Sequence, residues 1–290
     1  MTTLLLALTL FAQTSSEKPQ QLAAAKAFDG VWLCTDISVD GQNKIDKKLV
    51  DSTREYIYKE KYLYFGYNIL VGEGAFSAVN KGDGFYEIKR SITSGLAYDK
   101  GRRNAICLAK LDGDTWTAYS FAEAIEKEAP QHPNDHKYGL TVTKYKRQKE
   151  SDGASKQTDT SASSMLDGIW KCSRVVRDQD NDRDKERDKE IDDTLIVAYY
   201  HSTCFFVVKN QLKAEGRVSL KQMGNCLHEL TMEISGGGVY DEGKRRKVVL
   251  ARVYPIELTF YSFPNSETEV PKSPDDKRLP WAVTTFEKAP

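Results

Sequence analysis

The chain carries no surplus of charge: 42 Lys and Arg balance 42 Asp and Glu. No long-range field draws it to nucleic acid, and no basic stripe with interleaved aromatics replaces one. No apolar run is long enough to cross a bilayer as a helix. The Gly-x-Ser-x-Gly elbow, the His-Glu-x-x-His zinc motif, the Walker loop and the dinucleotide fingerprint are all missing, so no catalytic residue and no cofactor is assigned. Five cysteines include no Cys-x-x-Cys and no zinc spacing. Histidine is scarce, at four. His132 and His136 have a helical metal spacing, but Pro133 lies between them and no third ligand follows, so no metal site is assigned.

What is present argues for packed β structure. The chain is 40% hydrophobic, with fifteen Tyr and eleven Phe, a composition suited to strands with apolar faces. The opening "MTTLLLALTLFAQTSS" holds an apolar stretch from Leu4 to Phe11. That length suits the central region of a secretory signal, so residues 1–15 are expected to direct export to the periplasm or the medium.

Sliding the chain against itself reveals a duplication. "SGLAYDKGRR" (Ser94 to Arg103) meets "GGGVYDEGKR" (Gly236 to Arg245) at an offset of 142. Glu73-Gly74 meets Glu215-Gly216, "AICLAKL" meets "KVVLARV", and "TAYSF" meets "TFYSF" at the same offset. At the front, "FDGVWLC" (Phe28 to Cys34) meets "LDGIWKC" (Leu166 to Cys172) at an offset of 138. Colinear matches with small offset changes mean two copies of one domain, with loop insertions. The copies are expected at 26–148 and 165–290, joined by a Ser/Thr/Asp/Gly-rich linker at 149–164.

Each copy reads as eight short strands separated by turn signals such as "DGQN", "KGDG" and "LDGD". In the first they fall near Val31–Val39, Arg54–Lys59, Tyr62–Asn68, Gly74–Asn80, Phe85–Ile92, Asn104–Leu111, Thr115–Phe121 and Leu140–Lys146. "IDKKLVDS" (Ile45 to Ser52) suits one short helix after the first strand. The second copy carries a charged insert, Arg177 to Asp193, at that place. Eight antiparallel strands in little more than a hundred residues favour a closed up-and-down barrel or a sandwich. In the repeated stretch, Tyr98 and Tyr240 are expected to border strands, with Gly101 and Gly243 supplying the positive φ of a hairpin.

Gly30-Val31-Trp32 and Gly168-Ile169-Trp170 resemble the Gly-x-Trp of the first lipocalin strand. "LDGDTWTAYS" (Leu111 to Ser120), "SVDGQ" and "LTVTKYKR" resemble stretches of an uncharacterised lipocalin-like, calycin-type domain found in planctomycete exported proteins. The second copy departs from that pattern, reading "VYPIELTF" where the Gly-Asp turn would be. The resemblance implies an all-β chain of two tandem antiparallel eight-stranded barrels, each with a short helix after its first strand. It implies no activity, because the family has no assigned biochemical role and fold does not fix function.

Trp32 and Trp170 either line a cavity or, as the resemblance implies, plug the closed end of each barrel. The plug would lie beneath a basic side chain of the last strand: Lys146 or Arg147 in the first copy, Lys288 in the second. Cys34 and Cys172 occupy the same repeat position. The thiols are expected buried and free, the alternative being one disulfide among the three cysteines of the second copy. If a cavity exists, its expected lining is Tyr119 and Phe121 with their repeats Tyr261 and Phe263, the alternative being that they pack the core. Three functions remain open. An exported binding protein would hold a small apolar or amphipathic ligand in one or both barrels. Filled barrels would instead make a structural or protein-interaction module of the cell envelope, and an enzyme ranks last.

Overall fold

The computed structural model describes residues 21–42, 45–121, 128–149, 165–177, 194–224, 226–238, 243, 245–262 and 282–289. The expected signal segment, the linker from 150 to 164 and the charged insert from 178 to 193 lie outside them. The chain divides into two units, Met1–Lys149 and Glu150–Pro290.

In the first unit the strands are β1 (Gly30–Val39), β2 (Arg54–Tyr58), β3 (Lys61–Gly66), β4 (Ile69–Gly82), β5 (Phe85–Ser94), β6 (Asn104–Asp112), β7 (Thr115–Phe121) and β8 (Leu140–Arg147). Each pairs antiparallel with the next, and β8 returns to pair with β1. The sheet therefore closes into an eight-stranded barrel and leaves no edge, which excludes the sandwich for this unit. Between β1 and β2 a helix runs from Lys47 to Ser52, started by Asp46, whose carboxylate accepts the Lys48 N–H at 2.9 Å.

The second unit holds β9 (Gly168–Arg177), β10 (Ile196–Tyr200), β11 (Thr203–Val208), β12 (Gln211–Gly224), β13 (Leu227–Gly236), β14 (Arg246–Val253), β15 (Glu257–Ser262) and β16 (Ala282–Lys288). These pair antiparallel in the same succession, and β16 pairs with β9. "VYPIELTF" forms the β14–β15 hairpin although its Gly-Asp turn is lost, with the Tyr254 N–H donating to the Glu257 carbonyl at 2.8 Å. Registers correspond position by position: Trp32 lies opposite Glu55 as Trp170 lies opposite Val197. Arg90 likewise lies opposite Phe76 as Met232 lies opposite Val218.

The Gly-x-Trp motif has a steric explanation. Trp32 and Trp170 are fully buried, and their indole N–H groups donate to the carbonyls of Phe28 at 2.7 Å and Leu166 at 2.6 Å. The Arg147 guanidinium lies 4.2 Å from the Trp32 ring centre, and the Lys288 ammonium 4.8 Å from that of Trp170. A Cβ on Gly30 would fall 2.9 Å from Arg147 Nη1, and one on Gly168 would fall 2.6 Å from Lys288 Cε. The glycine two residues before each tryptophan leaves room for the cation on the ring, a contact worth about 0.5–2 kcal/mol. Of the two candidates in the first copy, Arg147 takes this place and also donates to the carbonyls of Asp29 and Ala27.

The repeated stretch differs from the expected hairpin. Gly101 and Gly243 do have positive φ, 87° and 88°, but Tyr98 lies inside a helical turn, Leu96–Asp99, between β5 and β6. This turn begins at Gly95, whose φ is 97° and whose Cβ would sit 3.0 Å from the Val71 backbone. Gly237 repeats the arrangement, with φ 89° and a Cβ position 2.8 Å from the Lys213 backbone. The close approach, rather than a two-residue turn, makes the sequence recur. After the turn the Arg103 guanidinium stacks 3.7 Å from the Tyr98 ring centre and donates to the Tyr98 carbonyl at 2.8 Å. Gly95→Ala is expected to destabilise the first unit by about 2–3 kcal/mol, through strain and backbone collision together. Gly101→Ala, with nothing within 4 Å of its Cβ position, should cost only about 1 kcal/mol. Urea titrations of the two variants measure the difference.

Candidate functional site

Strand alternation places an ion pair inside the first barrel. Glu55 lies in "REYIY" on β2, opposite the buried Trp32, and is fully buried itself. Arg90, on β5 between the core residues Ile88 and Ile92, reaches it. Nε donates to Glu55 Oε1 at 2.6 Å and Nη2 to Oε2 at 2.9 Å, a parallel two-bond arrangement. Nη1 donates to the Cys107 sulfur at 3.5 Å. Beneath the guanidinium lie the rings of Trp116, 5.7 Å from it, and Phe76, 6.0 Å from it.

Tyrosines surround the pair. Burial and then the Glu55 charge push the Tyr64 hydroxyl up to about 12, and Tyr64 hydrogen-bonds Tyr145. Burial likewise holds Tyr62 and Tyr145 above the ordinary phenol range. Burial alone would lower the Arg90 pKa, but the adjacent Glu55 raises it well above the ordinary value. At neutral pH these tyrosines are un-ionised hydrogen-bonding groups and the guanidinium is charged. Trp116 stacks on Tyr145 with ring centres 4.7 Å apart. It is 1% exposed, and its indole N–H has no hydrogen-bond partner. A buried donor without an acceptor costs about 1–3 kcal/mol.

The wall near this cluster is made of small residues. Ala105, opposite Arg90, and Ala118, next to Trp116 on the inward face of β7, belong to or pack against the core. A Cβ on Gly72, opposite Tyr64, would come within 3.2 Å of the Tyr62 hydroxyl.

At the equivalent positions the second unit replaces the ion pair and its tyrosines with apolar side chains. Val197 replaces Glu55, Met232 replaces Arg90, Val249 replaces Cys107, Leu258 replaces Trp116 and Phe286 replaces Tyr145, all within its core. Phe206 and Cys204 stand for Tyr64 and Tyr62, Phe260 for Ala118 and Lys247 for Ala105. Phe260 packs edge-on to Phe286 at 5.1 Å and stacks with Phe206 at 6.3 Å, and the Lys247 ammonium lies 5.6 Å from the Phe206 ring centre. At two of these positions the second interior carries the larger Lys247 and Phe260 where the first has alanine.

The expected lining residues lie elsewhere. β7 turns Trp116 and Ala118 into the core cluster, so Tyr119 and Phe121 fall on its other face, where Phe121 packs edge-on against Tyr138 at 5.1 Å. β15 turns Leu258 and Phe260 inward, which places Tyr261 on the opposite face, with Arg252 5.9 Å from its ring centre. Phe263 lies outside the described residues. On both strands these residues fall on the face opposite the core cluster, while Glu55 and Arg90 lie within the interior. Comparing the copies position by position would have found both: each is a charge on an inward face whose repeat is apolar.

All five cysteines are free, so no disulfide joins Cys172, Cys204 and Cys226. Burial pushes the Cys34 thiol up to about 11 and raises Cys107 and Cys204 as well, opposite to what activates a nucleophilic thiol. Among the described residues no group of three or more His, Cys, Asp or Glu gathers to hold a metal, and no helix is long and apolar enough to cross a membrane. His136 instead lies 3.6 Å from Asp40. No family model matches the chain, and no curated protein matches it.

Three outcomes follow from this geometry. Glu55→Val leaves a buried guanidinium without its carboxylate and should cost about 3–5 kcal/mol, whereas adding Arg90→Met should restore most of that loss. Denaturant titrations of the single and double variants decide it. In alkylation at pH 8, the exposed Cys226 should react about a hundredfold faster than Cys34, Cys107 or Cys204, which become accessible on unfolding. Because the raised Cys34 pKa keeps its proton in the fold, its stabilising contribution holds below the ordinary thiol value and is lost as pH rises towards about 11.

Proposed function

We propose that the chain is an exported, non-catalytic tandem of two lipocalin-like barrels with divided roles. The first binds a small amphipathic ligand inside its barrel, and the second is a filled copy that serves as a structural or protein-interaction module. One observation carries this reading: beside the buried Glu55–Arg90 pair the first interior has Ala105 and Ala118 where the second has the larger Lys247 and Phe260. A barrel of this size encloses either side chains or one small ligand, and the proposed reading gives the two copies opposite choices. The apolar stretch Leu4 to Phe11 supports export. The Gly-x-Trp plugs beneath Arg147 and Lys288 support the lipocalin-like likeness.

The test transplants the second filling into the first. The wild-type protein should bind Nile red with a fluorescence rise, and the pair Ala105→Lys with Ala118→Phe should weaken that binding at least tenfold. Circular dichroism should show the β structure retained. Native mass spectrometry of gently purified wild-type protein should show an added mass that is released on denaturation. Equal Nile red affinity in the folded double variant would sink the assignment to the first barrel.

A further inference from the structure

Resting on that reading, we propose that the first barrel selects ligands whose polar head is an uncharged hydrogen-bond acceptor, a carbonyl of amide, ester or ketone type, over ligands ending in a carboxylate. The argument is one of unspent donors and balanced charge. Arg90 has five N–H donors; Nε, Nη1 and Nη2 each place one, on Glu55 and on the Cys107 sulfur. The remaining guanidinium hydrogens and the indole N–H of Trp116 have no acceptor, and the two groups lie 5.7 Å apart from guanidinium carbon to ring centre. Both Glu55 oxygens are already engaged by Arg90. The interior therefore has donors left over where its charge is already cancelled.

A carbonyl oxygen has two lone pairs and no charge, so it satisfies these donors without disturbing the pair. A carboxylate could accept the same hydrogen bonds. It would, however, bring a second anion beside Glu55 with only one cation between them, in a place where burial already raises the neighbouring tyrosine hydroxyls. An unpaired buried charge is the costlier state. The apolar part of the ligand would then lie against Ala105 and Ala118, beside Tyr64 and Ile92.

The matched probes are octanamide and octanoate at pH 7.5, each titrated against Nile red bound to the wild-type protein. Octanamide should displace the dye with at least tenfold higher affinity. At saturation it should also shift the indole ¹H–¹⁵N resonance of Trp116, which takes up an acceptor. Glu55→Gln leaves the Arg90 charge uncancelled, so in that variant octanoate should gain at least tenfold on octanamide. If Nile red does not bind at all, the binding reading fails and this inference with it. If the dye binds but octanoate competes as well as octanamide, or neither competes, only the head-group inference is overturned. An unmoved Trp116 resonance at octanamide saturation would also overturn it, leaving that donor to water alone. The wild-type comparison decides the matter even should the Glu55→Gln protein not fold.

Discussion

Closing eight strands into a ring fixes an interior volume that the sequence must fill or leave open, and most of this chain's chemistry answers that constraint. The ring removes edges and satisfies the backbone, so the strands need only alternate correctly. Ring closure does not say what occupies the middle. At one end both copies use the same device, a buried tryptophan fixed by a main-chain carbonyl and covered by a cation from the last strand. Above the plug they part. The first interior holds Glu55 and Arg90 among tyrosines, and the second holds Val197 and Met232 among phenylalanines.

Strand order was legible because it rests on local signals. Turn residues punctuate the strands, and repeated glycines mark backbone approaches that no other residue tolerates, as at Gly95 and Gly237. The Trp–cation plug was legible through resemblance. The helical turn at Leu96–Asp99 was not, because four residues are too few to show a period, and "YDKG" is equally good turn chemistry for a hairpin. Nor was the parity of β7 and β15. On β7, Thr117, Tyr119 and Phe121 alternate as convincingly as Trp116 and Ala118. Only the packing of Trp116 on Tyr145 and Phe28 settles which row faces in.

Glu55 and Arg90 escaped for a different reason. They lie 35 positions apart, and each by itself reads as the exposed residue of an amphipathic strand. Pairing across the barrel is a tertiary fact. Its trace in the sequence is internal: at the equivalent positions of the second unit both charges are replaced by apolar residues, Val197 and Met232. Substituting one without the other would strand a buried charge.

That internal comparison also bears on why the pair exists. A buried ion pair contributes little net stability beside well-packed apolar side chains of similar volume, because desolvation offsets the attraction. The second unit is the demonstration within one molecule: the same strand order and register accept Val197 and Met232 with a continuous apolar core. Nothing in the backbone therefore requires Glu55 and Arg90. Neither does folding require the unsatisfied indole of Trp116, where the second copy has Leu258. Groups that a fold tolerates at a cost, and that the second unit does without, are what the proposed binding reading accounts for. Under the proposed reading, the partner those groups await in the first barrel is an acceptor brought in by a ligand.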